Sequence, residues 1–531
     1  MAQPLISLDN VTVRLRDRWY LRDTNWEIKP GEHWAVLGPN GSGKTTLART
    51  VAGRLPVVKG AVRRHFQTPE DLEHSILMVS SEERTEVHKQ EGVLDQARHF
   101  SGKIFDTTPA HAMLRPYLQG DHVGSRKALE TAGRELGIEA LLSRPLLSLS
   151  TGEMSKLLLA RAVAAPPALL ILDEPFDGLD TSSRKQMEAV LSRLMASRVH
   201  ILFITHRVEE IFSDLTHVLL MQDGSIAARG EKSEILHNGR LGALYRPKAS
   251  KDKTELPQTK TAGQQKDLPA GSPVIEMEQV RVRYGPVQVL EGVTWRMHRG
   301  ENWAITGPNG AGKSTLLQLI TGDELQVYAN SIRLFGKQRG SGESIWALRQ
   351  HIGTVSHSLL SRYHKPVTVF EAVCSGFFDS IGLYKSCTPE QKAAARHWIH
   401  RLGIEDLQDC PLPHLSKGQR ALVLITRAMV KSPLLLLLDE PCAGLDAGTR
   451  QQVLDLVEWI GSSTATDLIY VTHHQQELVP CITHKLQLKS GRTQNIYDLR
   501  LKIERFDKGG NYVSGHLEKK AEYSVLYRES G

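Results

Sequence analysis

The sequence predicts an α/β protein built as two tandem domains. Three observations predict it: a long internal repeat, a glycine-lysine loop between an apolar strand and a helix in each copy, and a second apolar strand in each copy that ends in Asp-Glu. At 531 residues the chain exceeds what one hydrophobic core serves, and a length prior gives about two to four domains. Gly31–Thr45 (GEHWAVLGPNGSGKT) returns as Gly300–Ser314 (GENWAITGPNGAGKS), with Gly38 and Gly307 offset by 269 residues. Leu172-Asp173-Glu174-Pro175 returns as Leu438-Asp439-Glu440-Pro441 at an offset of 266. Offsets that stay nearly constant over so long a stretch mean two homologous domains.

The boundaries follow from where the repeat holds. The first domain is expected over residues 5–246 and the second over 274–490. Between them, 247–273 is rich in Lys, Thr, Gln, Pro and Gly without apolar periodicity, and reads as a flexible linker. A coil of that length spans roughly 25–30 Å r.m.s., enough to let the halves meet. The tail, 491–531, alternates and is charged; it reads as an edge strand plus disorder.

Composition excludes several classes. Hydrophobic residues at 40% and charged residues at 24% are ordinary for a soluble globular protein. A net charge of +7 permits weak attraction to phosphates or an anionic surface but does not identify nucleic acid as a partner. A mixed-charge run such as Glu82-Glu83-Arg84 reads as a solvated face. No stretch reaches the length of about 18 apolar residues that a membrane helix needs, and Met1–Leu5 lacks the start of a secretion signal. The five cysteines, Cys374, Cys387, Cys410, Cys442 and Cys481, form no CxxC pair and read as reduced, buried thiols of a cytoplasmic protein.

The glycine-lysine loops carry the first chemistry. Trp34–Leu37 and Trp303–Thr306 read as strands, and Thr46–Ala52 and Thr315–Ile320 as helices. Gly38–Thr45 and Gly307–Ser314 both fit G-x-x-x-x-G-K-[ST], the phosphate loop of P-loop NTPases. Gly38, Asn40, Gly41 and Gly43, with Gly307, Asn309, Gly310 and Gly312, would let backbone N–H groups cradle phosphates at a helix N-terminus. Lys44 and Lys313 would reach the β- and γ-phosphates of ATP, with Thr46 and Thr315 following in the helix. Thr45 and Ser314 would supply hydroxyls to Mg²⁺, and Asp173 and Asp439 would hold the same ion through its water shell. Glu174 and Glu440 are placed to orient and deprotonate the attacking water. Trp34 and Trp303 read as core residues.

A third element fixes the class. Leu149-Ser150-Thr151-Gly152-Glu153 and Leu415-Ser416-Lys417-Gly418-Gln419 lie just before helices, some twenty residues ahead of each Asp-Glu pair. They resemble the signature motif of the ATP-binding-cassette (ABC) superfamily, which implies an α/β nucleotide-binding domain with a helical subdomain in each half. In that family the signature caps the γ-phosphate held by the opposite domain in a head-to-tail contact. The resemblance therefore implies that Ser150 and Gly152 complete the site built on Lys313, and Ser416 and Gly418 the site built on Lys44. It further marks Gly178-Leu179-Asp180 and Gly444-Leu445-Asp446 as D-loops, and His206 and His473 as histidines contacting the γ-phosphate.

The chain departs from the pattern in three places. Where transporter cassettes carry a glutamine, the sequence has Ser81 and His357, which weakens the expected coupling to a membrane partner. The adenine-stacking aromatic is Tyr284 in the second half, whereas the first half has Leu15 at that offset, with Trp19 and Tyr20 nearby. The first signature, with Thr151 and Glu153, diverges more, so the two sites are expected to differ in turnover. The repeated G-E-x-W pattern, Leu334-Phe335-Gly336 with Arg339–Trp346, and Ser375–Tyr384 resemble the ModF family of tandem cassettes across roughly residues 5–490. That resemblance implies a cytoplasmic ATPase, peripheral to the inner face of a membrane, with separate permease subunits as partners and molybdate or a similar oxyanion as cargo. A soluble tandem ATPase acting on ribosomes or nucleic acid, like the ABC-F factors, is the alternative. The linker lacks their long helical character, and the chain lacks aromatic stacking clusters, so nucleic acid is the less favoured partner. A regulatory cytosolic ATPase without cargo is the third reading.

Overall fold

The computed structural model describes residues 3–15, 18–65, 75–80, 83–84, 86–87, 90–91, 108–110, 112, 131–149, 151–197, 199–237, 268–285, 287–342, 344–356, 359 and 367–499. The chain divides into two compact units, Met1–Arg246 with Ala443–Gly448, and Pro247–Cys442 with Thr449–Gly531. Of the linker expected over 247–273, residues 247–267 lie outside the described residues, as do 500–531 of the tail.

Each unit holds a six-stranded sheet of one design. In the first the order is Ile76–Val79, Leu169–Asp173, His200–Thr205, Trp34–Leu37, His217–Gln222 and Ser225–Glu231. In the second it is Ile352–Ser356, Leu435–Asp439, Asp467–Val471, Trp303–Thr306, His484–Lys489 and Arg492–Asp498. The first five strands of each are parallel and the last is an antiparallel edge. The register repeats as well: Trp34 pairs with Leu202 and His217, and Trp303 with Ile469 and His484. Arg492–Asp498 thus closes the second sheet.

The apolar runs of these strands follow from burial on both faces, as parallel sheets require. Leu169 and Ile171 pack into a cluster with Trp26, Trp34, Leu47 and Met78, while Leu170 and Leu172 enter another with Leu157, Leu158, Phe176 and Leu191. An antiparallel sheet covers one side in each unit: Arg18–Ile28, Ile6–Leu15 and Lys59–Arg64 in the first, and Val287–His298, Pro273–Tyr284, Ser331–Leu334 and Lys337–Gln338 in the second. Trp34 and Trp303 are core residues at 5% and 3% exposure. Each still satisfies its indole, donating Nε1–H to Glu32 at 3.0 Å and to Glu301 at 2.9 Å. None of the five cysteines is in a disulfide; Cys374, Cys387 and Cys442 are buried, and Cys410 and Cys481 half-buried.

Candidate active site

The phosphate loops leave the central strand of each sheet and enter the helices Lys44–Val51 and Lys313–Thr321. Gly43 and Gly312 turn at φ 98° and 91°, a conformation in which any side chain is strained. A Cβ on Gly38 would stand 2.4 Å from the Met221 carbonyl oxygen, and one on Gly307 2.3 Å from that of Leu488. Both loops therefore lie pressed against the next strand, which only glycine permits. Lys44 Nζ arches back to donate to Gly38 O at 2.8 Å and Pro39 O at 3.0 Å. Lys313 repeats this with Gly307 O and Pro308 O at the same distances.

The acidic ends of the neighbouring strands meet these helices. Thr45 Oγ1 donates to Asp173 Oδ2 at 2.8 Å, and Ser314 Oγ to Asp439 Oδ2 at 3.4 Å. A hydroxyl and a carboxylate converging from two elements fit a hard cation such as Mg²⁺, which takes few protein oxygens and completes its shell with phosphates and water. Glu174 and Glu440 follow at φ 51° and 50°, left-handed values unusual for a non-glycine residue. Their amides are tied to Ile204 O at 3.0 Å and Val471 O at 3.1 Å, so the sheet holds the strained turn. Each glutamate faces a histidine from the next strand end: His206 Nδ1 lies 3.1 Å from Glu174 Oε1, and His473 Nδ1 3.2 Å from Glu440 Oε1. Burial pushes the Glu440 carboxyl up, but the His473 hydrogen bond and the charges of His473, Lys313 and His474 outweigh it and hold its pKa below the ordinary glutamate value.

Two residues that hold each histidine escaped the sequence reading. Thr205 Oγ1 donates to the buried Glu210 Oε2 at 2.5 Å and accepts from Arg207 N at 3.0 Å. Thr472 Oγ1 donates to Glu477 Oε2 at 2.7 Å and accepts from His474 N at 3.0 Å. The signal was available: Thr-His followed by Glu four positions after the histidine occurs in both halves. The units then diverge. Arg207 Nε donates to His206 Nε2 at 3.3 Å, which leaves the ring proton on Nδ1 facing Glu174. In the second unit the His474 ring lies against His473 instead, with ring centres 3.9 Å apart and planes tilted by 42°.

The helices start earlier than the sequence placed them: Thr151–Ala164 and Lys417–Met429 already begin inside the signature motifs, which were expected just ahead of them. Ser416 is an N-cap: its Oγ accepts from Gln419 N at 3.2 Å, while Gln419 Oε1 accepts from Ser416 N at 2.9 Å. The hydroxyl keeps its proton free to donate to an anion. In the first unit Glu153 turns instead to Arg144 at 3.0 Å. A Cβ on Gly152 would meet Leu179 Cδ2 at 2.7 Å, and one on Gly418 would meet Thr449 Cγ2 at 2.0 Å. The signature glycines are thus demanded by packing within their own units as well. Asp180 caps the helix Thr181–Ala196 by accepting from Ser183 N at 2.7 Å.

Other expectations fare unevenly. Tyr284 is 45% exposed; its hydroxyl bonds Glu324 and reaches Thr315 at the start of the phosphate-loop helix. Burial and Glu324 push that phenol up to about 12. In the first unit Trp19 is exposed with Arg14 over its ring, whereas Tyr20 packs toward Gly43. Ser81, Ser150 and His357 lie outside the described residues. Arg84, expected on a solvated face, is instead 5% exposed: its guanidinium turns inward to donate to Ser155 Oγ at 2.6 Å.

Among the described residues no helix is long and apolar enough to cross a membrane. The family model for ABC transporter matches residues 21–177 and 290–443, so the chain belongs to the ABC family, with two cassettes, and is an ATPase. Its place within that family is with ModF: it is 38% identical over 477 residues to the ABC transporter ATP-binding protein ModF of Escherichia coli (strain K12), covering 90% of this chain and 95% of that one. It is also 28% identical to an uncharacterized ABC transporter ATP-binding protein of Schizosaccharomyces pombe, over 89% of this chain and 95% of that protein. Among solved structures, the complex of archaeal ribosomal stalk protein aP1 with ribosome recycling factor aABCE1 matches with a TM-score of 0.56 at 17% identity. It covers 93% of this chain and 90% of that one, a likeness of fold.

Proposed function

We propose that the chain hydrolyses MgATP at two sites to energise an ABC transport process whose membrane subunits are separate chains. The observation that carries the hydrolytic part is the duplicated geometry: in each unit a phosphate loop, a hydroxyl–aspartate pair and a strained glutamate facing a histidine gather at the carboxyl ends of neighbouring parallel strands. In this reading the Lys44 and Lys313 loops hold the phosphates. Thr45 with Asp173, and Ser314 with Asp439, would hold Mg²⁺, which when bound would supply charge neutralisation for the phosphates. Glu174 and Glu440 take the proton of the attacking water, and His206 and His473 fix those carboxylates. A positioned base of this kind is worth roughly 10²–10⁴ in rate. The Ser416–Gly418 and Ser150–Gly152 turns serve the nucleotide of the opposite cassette.

Transport is supported by the ModF likeness over nearly the whole of both chains. Molybdate or another small oxyanion is the cargo that the family resemblance favours, and its selectivity resides in a partner. The test joins chemistry to partner. The full chain carrying Glu174→Gln and Glu440→Gln should bind ATP, lose steady-state hydrolysis, and on isolation from cells bring down membrane permease subunits. Undiminished hydrolysis refutes the carboxylate roles, and ribosomes in place of permeases refute the transport reading.

A further inference from the structure

Two backbone amides at the amino ends of the first unit's central strands are held by imidazoles. Gly31 N donates to His200 Nε2 at 3.0 Å, and Ile201 N donates to His33 Nδ1 at 3.3 Å. An amide N–H can only donate, so each of these ring nitrogens must keep its lone pair. The other nitrogen of His200 agrees: Nδ1 lies 3.2 Å from Ala168 O, an acceptor, and so carries the ring's single proton. Both histidines are half-buried, and their ring centres stand 6.0 Å apart. The geometry thus requires two neutral imidazoles side by side. Protonating either ring turns its acceptor into a second N–H aimed at an amide N–H, and protonating both sets two cations against each other.

The second unit makes the same two bonds without an imidazole. Trp34 pairs with Leu202 as Trp303 pairs with Ile469, so His200 corresponds to Asp467 and Ile201 to Leu468, while His33 corresponds to Asn302. Gly300 N donates to Asp467 Oδ1 at 3.0 Å, and Leu468 N donates to Asn302 Oδ1 at 2.9 Å. The Asn302 amide does not titrate. Burial raises the Asp467 carboxyl while its bond and ion pair with Arg299 hold it down, and a carboxyl keeps an acceptor oxygen in either protonation state. The backbone bonds were kept in both halves, but only the first half entrusts them to groups that lose their acceptor in mild acid.

We propose that His33 and His200 form an acid-sensitive latch in the first cassette: their protonation frees the Ile201 and Gly31 amides, loosens the amino ends of the strands Trp34–Leu37 and His200–Thr205, and slows ATP turnover. The strands themselves carry the effect to the chemistry, since the first runs into the phosphate loop and the second ends beside His206. Burial and the neighbouring His200 pull the His33 pKa below the ordinary histidine value, against the opposing carboxylate of Asp214. A folded value below the unfolded one means that the stability this ring lends is full above the unfolded pKa and is lost as pH falls through the folded one. Among the described residues, the other charged and titratable groups around the pair are Asp214, held by Ser192, Ser213 and Lys232, and, one step removed through Thr216, His217 with Glu32.

Amide exchange of the full chain, corrected for the intrinsic rate at each pH, reads the latch with the second unit as its internal standard. Between about pH 7.5 and about pH 5.5, the protection of the Gly31 and Ile201 amides should fall at least fivefold, while that of Gly300 and Leu468 stays within twofold. His33→Asn combined with His200→Asn keeps an acceptor at both places and removes the titration. In that variant the protection at Gly31 and Ile201 should change less than twofold, and the ratio of ATPase kcat at the lower pH to that at the higher should rise at least threefold over wild type. Equal losses of protection in the two halves of the wild type overturn the proposal, a comparison that stands even where the double variant folds poorly. So does a double variant whose acid loss of protection, or whose kcat ratio, matches the wild type. The hydrolytic reading enters only through that ratio, and its failure shows separately as no turnover at either pH.

Discussion

Thr205 gives the account its sharpest mutational handle. Its hydroxyl is fully buried, donates to Glu210 at 2.5 Å and accepts the Arg207 amide at 3.0 Å, and so fixes the loop that presents His206 to Glu174. Thr205→Val keeps the shape and removes both bonds. The bond to a carboxylate is worth about 1.5–3 kcal/mol and the neutral one about 1 kcal/mol, so opening of the loop should become easier by about 2.5–4 kcal/mol. At 1.36 kcal/mol per decade that is roughly a 70- to 900-fold rise in exchange of the Arg207 amide. Hydrogen–deuterium exchange of peptides covering 200–212 reads it directly. ATPase kcat should fall with KM for ATP nearly unchanged, since the phosphate loop is untouched, and Thr205→Ser should restore both. Thr472→Val should do the same at Glu477 and His473. Wild-type exchange at Arg207 together with wild-type kcat in Thr205→Val would refute the reasoning that the threonine–glutamate bond holds the histidine.

Other substitutions follow from the same geometry. Thr45→Ala should raise the Mg²⁺ concentration for half-maximal activity more than Ser314→Ala does, because the contact to Asp173 is 2.8 Å and that to Asp439 is 3.4 Å; equal shifts in a Mg²⁺ titration would contradict this. Gly418→Ala should destabilise the second unit by about 1–3 kcal/mol through overpacking on Thr449, read as a lower denaturant midpoint. The Glu440 carboxyl has a folded pKa below its unfolded value. The stability it lends is therefore present above the ordinary glutamate range and lost as pH falls through the folded pKa. Acid unfolding should accordingly be shallower in Glu440→Gln than in wild type over that window, and identical slopes would count against the His473–Glu440 contact.

Much of this was legible because the sequence says it twice. The strands before the phosphate loops and before Asp-Glu were readable as apolar runs of four or five residues, and each loop declared its glycines and lysine. The helices begin at Lys44 and Lys313, two residues ahead of the expected start, because the loop lysine already takes helical geometry. Side chains acting through burial were the harder part. Arg84 read as surface because a local charge run carries no information about the buried Ser155 hydroxyl, some seventy residues on, that its guanidinium meets. Thr205 and Thr472 read as strand ends because hydroxyls facing buried glutamates leave no periodic trace. The left-handed turn at Glu174 and Glu440 was likewise invisible in one dimension: it is imposed by the amide bonds to Ile204 and Val471 on the neighbouring strand.

The proposal that each signature segment serves the nucleotide of the opposite cassette turns on Ser416→Ala in two parents. With Glu440→Gln only the site on Lys44 turns over, and with Glu174→Gln only the site on Lys313. Ser416→Ala should cut the first rate at least ten times more than the second. The reverse ranking, with the loss falling on the site built on Lys313, would mean that Ser416 serves its own half and would overturn the proposal.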